Sequence, residues 1–269
     1  MSIDFEQKEK YYAEDLVSIM KLLREPGGCP WDAEQNHQSI RKNFIEETYE
    51  VLEAIDTENP ELLCEELGDV MLQIVFHAQM EAEKGVFDFS DVTDGICRKL
   101  IERHPHVFGE VSVANSDEVL VNWDAIKRKT KNQKSVSESM NSVPKVFPAL
   151  MRSEKIQSKA RKAGFDWNDN GEGAFEKLSE ETNELKAAAE SGSHEDIEEE
   201  LGDVLFSAVN ISSFLKCDPE EALTKATDKF ISRFTAVENA AKEKGIDMQT
   251  ASLEQLDELW NEAKLKQSK

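Results

Sequence analysis

The sequence predicts an all-α protein made of two similar helical units. Apolar residues recur at helical spacing along most of the chain, and alternating, strand-like runs are nearly absent. The 7 prolines and 12 glycines sit mainly between these periodic segments, where they punctuate helices. The stretch EELGDV occurs twice, at Glu65–Val70 and Glu199–Val204. Each copy follows an acidic cluster of one shape, EETYE ending at Glu50 and EETNE ending at Glu184.

Along the first half, PGGCPWDAEQ reads as a turn into Asp32, a helix N-cap with Gln35 three residues on. Ile40, Phe44, Thr48, Val51, Leu52 and Ile55 then form one helical face, with Glu47 and Glu50 beside it and Glu53 pointing away. DTENP breaks this helix and another begins near Leu62. Further on, Lys99 and Arg103 share a helical face, Pro105 of His104–His106 ends that helix, and Trp123 and Lys127 stand at i,i+4. The second half repeats the order. A helix with Phe175, Leu178, Thr182 and Leu185 is separated by SGSH from one with Leu201, Val204 and Leu205. Asp218–Pro219 starts the helix of Lys229 and Arg233, and Trp260 and Lys264 repeat the i,i+4 pair. Duplication explains this correspondence. The polar segment TKNQKSVSESMNSVPKVFP is the natural linker, centred on residues 131–144, between helical domains 1–130 and 145–269.

The 55 acidic and 32 basic residues give a formal charge of −23. Such a surface repels nucleic-acid phosphate and anionic membranes, so neither is an expected partner, although placed cations can still bind a small phosphate ligand. Cys29, Cys64, Cys97 and Cys217 form no C-x-x-C pair, as suits a reduced, cytoplasmic protein. MSIDFEQKEKYY has no apolar signal-peptide core, and no apolar run approaches the roughly 20 residues of a membrane span.

The spacing of the carboxylates carries the chemistry. Glu50 and Glu66 are equally far from position 58, as are Glu47 and Asp69. Glu184 and Glu200 are symmetric about Gly192, as are Glu181 and Asp203. Antiparallel helices joined at those points place four carboxylates at two matching levels. Two unit charges about 4 Å apart repel by about 4 kcal/mol at an effective dielectric of about 20. A divalent cation relieves that repulsion, and an all-oxygen ligand set points to Mg²⁺ or Mn²⁺ rather than zinc. Gly68 and Gly202 cost their helices roughly 1 kcal/mol each relative to alanine, and the expectation is that they admit a partner helix or a phosphate close to the backbone. A lone EExxE in so acidic a chain is a solvated face; two copies with equal internal separation point to a metal site. Beside it, Lys229, Arg233, Trp260 and Lys264 are candidates for phosphate contact and base stacking.

Other patterns are weaker. Glu34-x-x-His37 stands alone where a di-iron bundle needs two, there is no P-loop, and the GEG at Gly171–Gly173 is too short to cradle phosphate. A non-catalytic nucleotide or metal sensor and a helical scaffold are the rival readings. Retention of both acidic and basic sets disfavours the scaffold.

CPWD, EETYE…EELGDV, KLIERHPHVF, PALMRSEKIQ, GFDW, EETNE…EELGDV and KFISRF together resemble the MazG family of nucleoside triphosphate pyrophosphohydrolases, in its two-domain bacterial form. The resemblance covers nearly the whole chain. It implies an all-α NTP pyrophosphatase fold, a homodimer, and Mg²⁺-dependent cleavage of (d)NTPs to (d)NMP and pyrophosphate, in nucleotide house-cleaning or stress control. By the same resemblance Glu181, Glu184, Glu200 and Asp203 bind Mg²⁺. Lys177, Lys229, Arg233, Trp260 and Lys264 hold the nucleotide, with Glu180 and Glu199 supporting; Glu180 is the candidate base. The first half keeps Glu47, Glu50, Glu66, Asp69, Lys99, Arg103, Trp123 and Lys127. It has Asn43 where the second has Lys177, so the second half is expected to be the main catalytic unit.

Overall fold

The computed structural model describes residues 5–116, 118–119, 122–123, 126, 135–167 and 171–267. Every regular element among them is helical, and none of the helices is long and apolar enough to cross a membrane. The chain divides into two compact units, Met1–Lys127 and Arg128–Lys269.

In the first unit the helices are α1 (Ala13–Arg24), α2 (Pro30–Glu34), α3 (Arg41–Asp56), α4 (Pro60–Ala82), α5 (Phe89–Arg103) and α6 (Pro105–Phe108). Asp32 is not the N-cap that the sequence suggested. Cys29 holds that place, because Pro30 at the first helical position already has the φ a helix needs. The helix also stops at Glu34, and Ile40 caps a new helix. The break after α3 falls as expected. Pro60 is the first residue of α4, and the Asn59 side chain accepts a hydrogen bond from the Leu62 N–H at 3.1 Å.

The core of this unit lies at one end. Met20, Ile40, Val75, Phe76 and Met80 are buried together where α1 packs on the C-terminal half of α4. Polar contacts fasten the same end. The Arg24 guanidinium donates to both oxygens of Glu83, at 2.7 and 2.9 Å, and lies over the Phe76 ring. His37 bridges His77 (Nδ1 to Nδ1, 2.7 Å) and Glu81 (Nε2 to Oε1, 2.6 Å), tying the segment before α3 to α4. The N-terminal half of α4 and the facing part of α3 therefore extend from a fixed base as a two-helix hairpin. Their stripe is left half exposed among the described residues: Leu52 is 48% exposed, and Ile55 and Leu67 are each 51% exposed.

The second unit contains α7 (Val136–Asn141), α8 (Ala149–Lys162), α9 (Glu172–Ser191), α10 (His194–Phe214), α11 (Pro219–Lys244) and α12 (Leu253–Gln267). Helix α7 falls inside the segment read as linker. There Ser139 and Val143 are buried and Lys159 donates to the Ser139 hydroxyl at 2.6 Å, so residues 135–144 are packed structure; residues 131–134 lie outside the described ones. Helices α9 and α10 form the counterpart hairpin, joined by Gly192 and Ser193. The Ser193 hydroxyl accepts from the Asp196 N–H at 3.2 Å, and the Asp196 carboxylate accepts from the Ser193 N–H at 2.7 Å. Helix α8 braces α10, with Gln157 donating to the Phe206 carbonyl at 2.7 Å. A separate core of Val237, Ala240, Ala241, Leu259 and Ala263 joins α11 to α12.

Candidate functional site

Each hairpin holds a group of carboxylates. In the first unit Glu47 on α3 and Glu66 and Asp69 on α4 offer oxygens that all lie within 4.8 Å of one another. In the second, Glu181 and Glu184 on α9 and Glu200 on α10 do the same. These are different triplets of the two equivalent quartets. Glu50 is adjacent to Glu47 and Glu66, and Asp203 acts electrostatically on Glu200, without joining the tight groups.

The deepest members are Glu66, 9% exposed, and Glu181, 5% exposed. Side chains of this type are almost never so buried without a partner. Their environments differ. Glu66 is pushed up from the ordinary carboxylate range by burial first, then by the charges of Glu50 and Asp69. Glu47 is raised likewise, by burial and then by Asp69. Glu181 is held down, chiefly because Lys177 donates to it at 2.6 Å. Its neighbours move the other way: Glu184 is raised first by its contact with Glu181, and Glu200 by burial and then by the Glu181 charge. Lys177 also reaches Glu180 at 2.8 Å, and its own pKa is raised by both acids. Clustered, partly dehydrated oxygens that repel one another suit a hard divalent cation, and Glu47, Glu50, Glu66 and Asp69 or Glu181, Glu184, Glu200 and Asp203 would hold it.

The basic and aromatic candidates lie on other helices. Lys229, exposed, and Arg233, half-buried, stand on α11, whose main packing partners are α12 and α8. Trp260 on α12 is half-buried with its ring 5.4 Å from that of Phe230, and Lys264 is exposed. In the first unit the buried Arg103 guanidinium lies over the Trp123 ring at 5.3 Å, and its Nε has no hydrogen-bond partner among the described residues; Lys99 is exposed. Lys127 lies outside the described residues. Glu199 occupies α10 one position before Glu200.

One sequence expectation changes, and one residue gains a further contact. Beyond the helix's own backbone and the adjacent residues, nothing among the described residues comes within 4 Å of a Cβ placed at Gly68 or Gly202, so the facing helix of the hairpin does not explain either glycine. Lys177, expected on the nucleotide, engages Glu180 and Glu181. Sequence reasoning missed Phe230, which touches Trp260 where the first unit has Leu100; an aromatic residue next to Lys229 on α11 was the available signal. It also missed the His77–His37–Glu81 chain, which joins residues about 40 apart and carries no local pattern. Helix α5 ends at Arg103 before Pro105, and His104 donates from Nδ1 to the Leu100 carbonyl, so His104 serves as a cap.

Two helical hairpins with equivalent acidic clusters define a tandem all-α protein with a group of converging carboxylates in each repeat. The MazG nucleotide pyrophosphohydrolase domain family matches residues 35–108 and 170–238, one stretch in each unit, and the chain belongs to the MazG family. It is 46% identical over 251 residues to the nucleoside triphosphate pyrophosphohydrolase/pyrophosphatase MazG of Thermotoga maritima, covering 93% of this chain and 95% of that one. It is 43% identical over 252 residues to the nucleoside triphosphate pyrophosphohydrolase of Escherichia coli, again covering 93% and 95%. The uncharacterised protein YabN of Bacillus subtilis is 49% identical over 247 residues, which cover 92% of this chain and 50% of the Bacillus protein.

Proposed function

We propose that the protein is a Mg²⁺-dependent nucleoside triphosphate pyrophosphohydrolase that converts (d)NTPs to (d)NMP and pyrophosphate, with residues 145–269 as the main catalytic unit. The observation that carries this reading is the convergence of Glu181, Glu184 and Glu200 across the α9–α10 hairpin in a chain of this family. These residues, with Asp203, would hold the ion. When bound, Mg²⁺ supplies charge neutralisation for the departing pyrophosphate and a lowered pKa for a water molecule. Glu180, whose side chain is 57% exposed, would take the proton from the attacking water. That water attacks the α-phosphorus, the bond from it to the α–β bridging oxygen breaks, and pyrophosphate leaves with the bond's electron pair. Lys177, Lys229, Arg233 and Lys264 neutralise the triphosphate, and Trp260 offers a stacking face for the base.

We further read the working form as a cytoplasmic homodimer. The hairpins leave large apolar side chains uncovered, including Leu52, Ile55 and Leu67 in the first unit and Phe175, Leu201 and Leu205 in the second, each 46–52% exposed. A second copy offers the same faces, and a helical hairpin with one open apolar face is completed by further helices. The four cysteines are free, in keeping with a reducing compartment.

The test is product identification with common and modified NTPs, with Mg²⁺, with Mn²⁺ and with chelator. Monophosphate plus pyrophosphate, lost on chelation, is expected. Orthophosphate plus diphosphate would place the cut at the wrong bond and overturn the mechanism.

A further inference from the structure

The two acidic clusters are equivalent in sequence position and differ in one local cation. Lys177 on α9 holds a Glu181 oxygen at 2.6 Å and a Glu180 oxygen at 2.8 Å. The equivalent position in the first unit is Asn43. The lysine one position earlier, Lys42, pairs with Glu46 at 2.7 Å. Among the described residues no Lys or Arg forms an ion pair with Glu47, Glu66 or Asp69.

We infer that Lys177 is a competing counter-cation built into the second site. It occupies Glu181 until a triphosphate draws it away, so the second site takes metal together with nucleotide while the first takes metal alone. This rests on the reading of both clusters as divalent-cation sites.

The geometry sets the competition. A Mg²⁺ ligated by Glu181 sits about 2.0–2.1 Å from its oxygen, on an acid whose oxygen already lies 2.6 Å from the ammonium. A doubly and a singly charged cation about 4 Å apart weaken each other's binding by at least about tenfold, even with water-like screening. A lysine can leave: its ammonium is a compact charge on a flexible four-carbon stem, and Lys177 is 39% exposed. Glu180 gives it a second seat one residue away, at 57% exposure. A bound triphosphate offers several negative oxygens in exchange, and transfer of Lys177 to them removes the competitor from Glu181. Coupling of this kind is reciprocal, so metal strengthens nucleotide binding by the same factor. Among the described residues the first site has no competitor to displace, and so no such coupling through Asn43.

The test reads free Mn²⁺ by electron paramagnetic resonance on the full chain, with one site disabled at a time. Glu66→Gln with Asp69→Asn leaves the second site, and Glu184→Gln with Glu200→Gln leaves the first. Without nucleotide, the first site is expected to bind Mn²⁺ about tenfold more tightly than the second, given the charge separation above. Lys177→Asn should tighten the second site by a similar factor, and Asn43→Lys should weaken the first. A triphosphate with an α,β-methylene bridge should raise Mn²⁺ affinity of the second site, and much less so after Lys177→Asn. An unchanged or weakened nucleotide-free affinity in Lys177→Asn overturns the inference while leaving the metal sites standing. Absence of Mn²⁺ binding in both backgrounds overturns the metal-site reading itself, and the inference with it. Circular dichroism melts check that Asn43→Lys remains folded. If it unfolds, the Lys177→Asn result decides alone.

Discussion

Replacing Gly202 by alanine separates two reasons for keeping a glycine inside a helix. Gly202 lies within α10, and a Cβ built there meets nothing within 4 Å among the described residues beyond its own helix backbone and adjacent residues. The substitution therefore has no steric cost within one copy and gains roughly 1 kcal/mol of helix propensity. For a unit of this size that corresponds to a rise of about 3 °C in Tm. Gly202 nonetheless sits among uncovered apolar side chains, Leu201 at 46%, Leu205 at 51% and Phe206 at 43% exposed, and beside Asp203. If the open space receives a second copy or a phosphate, the added methyl meets it. Overpacking a close contact costs about 1–3 kcal/mol, or roughly one to two decades in a dissociation constant.

The expected result is thus a split: higher thermal stability in dilute protein, with weaker self-association by sedimentation velocity or a higher KM in pyrophosphate release. Gly68→Ala should show the same stability gain in the first unit, where the space is equally open. A Gly202→Ala protein that is more stable, dimerises normally and turns over normally would refute the close-approach reasoning. One that is less stable in dilute solution would refute the propensity reasoning instead.

Gly171→Ala should act oppositely, because Gly171 has φ +94° and a Cβ there falls 2.9 Å from Phe214 Cγ. Left-handed strain of about 1–2 kcal/mol plus the displaced ring predicts a loss of about 2–3 kcal/mol, read by urea unfolding of the second unit. Glu66→Gln should be more stable than the parent at neutral pH in the presence of chelator. The folded-state pKa of Glu66 is raised, so its ionisation disfavours the fold, and the advantage of the variant shrinks as pH falls through that raised value. An advantage that grows on acidification would contradict the sign. Glu181→Ala should remove most turnover and Glu47→Ala less, since only the second unit has a lysine at the position before the cluster; equal losses in folded proteins would show that the halves contribute alike.

The parts of this arrangement that were legible in the sequence are those fixed by helix geometry. A rise of 1.5 Å per residue and a turn at a known position dictate which carboxylates face each other across a hairpin, whatever else packs nearby. Pro60 and Asp218–Pro219 start their helices where their chemistry says they should. Asp32 failed because two start signals competed within three residues and the proline won. Which three of four carboxylates converge was not legible, since that depends on side-chain rotamers and on burial at Glu66 and Glu181. The apolar stripe was read correctly as a period, yet Leu52 and Ile55 remain half exposed among the described residues. Periodicity reports that a face wants burial, and says nothing about which molecule provides it.

Duplication gives one chain two hairpins with the same carboxylate positions, and the electrostatic differences then follow from few substitutions. In the first cluster burial, and after it the repulsion between the carboxylates, raises both Glu47 and Glu66. The second is pre-neutralised at Glu181 by Lys177, so Glu184 and Glu200 carry the raised values instead. Repulsion in a cluster favours any divalent cation, whatever else is bound, whereas an internal ammonium makes cation binding conditional on a ligand able to take the ammonium away. A single position, Asn43 against Lys177, is thus enough to turn one of two like sites from a cation site into one that responds to cation and triphosphate together. The same residue that lowers affinity for metal alone then raises selectivity for the metal–triphosphate pair, because the cost of displacing Lys177 is recovered only when phosphate oxygens receive it.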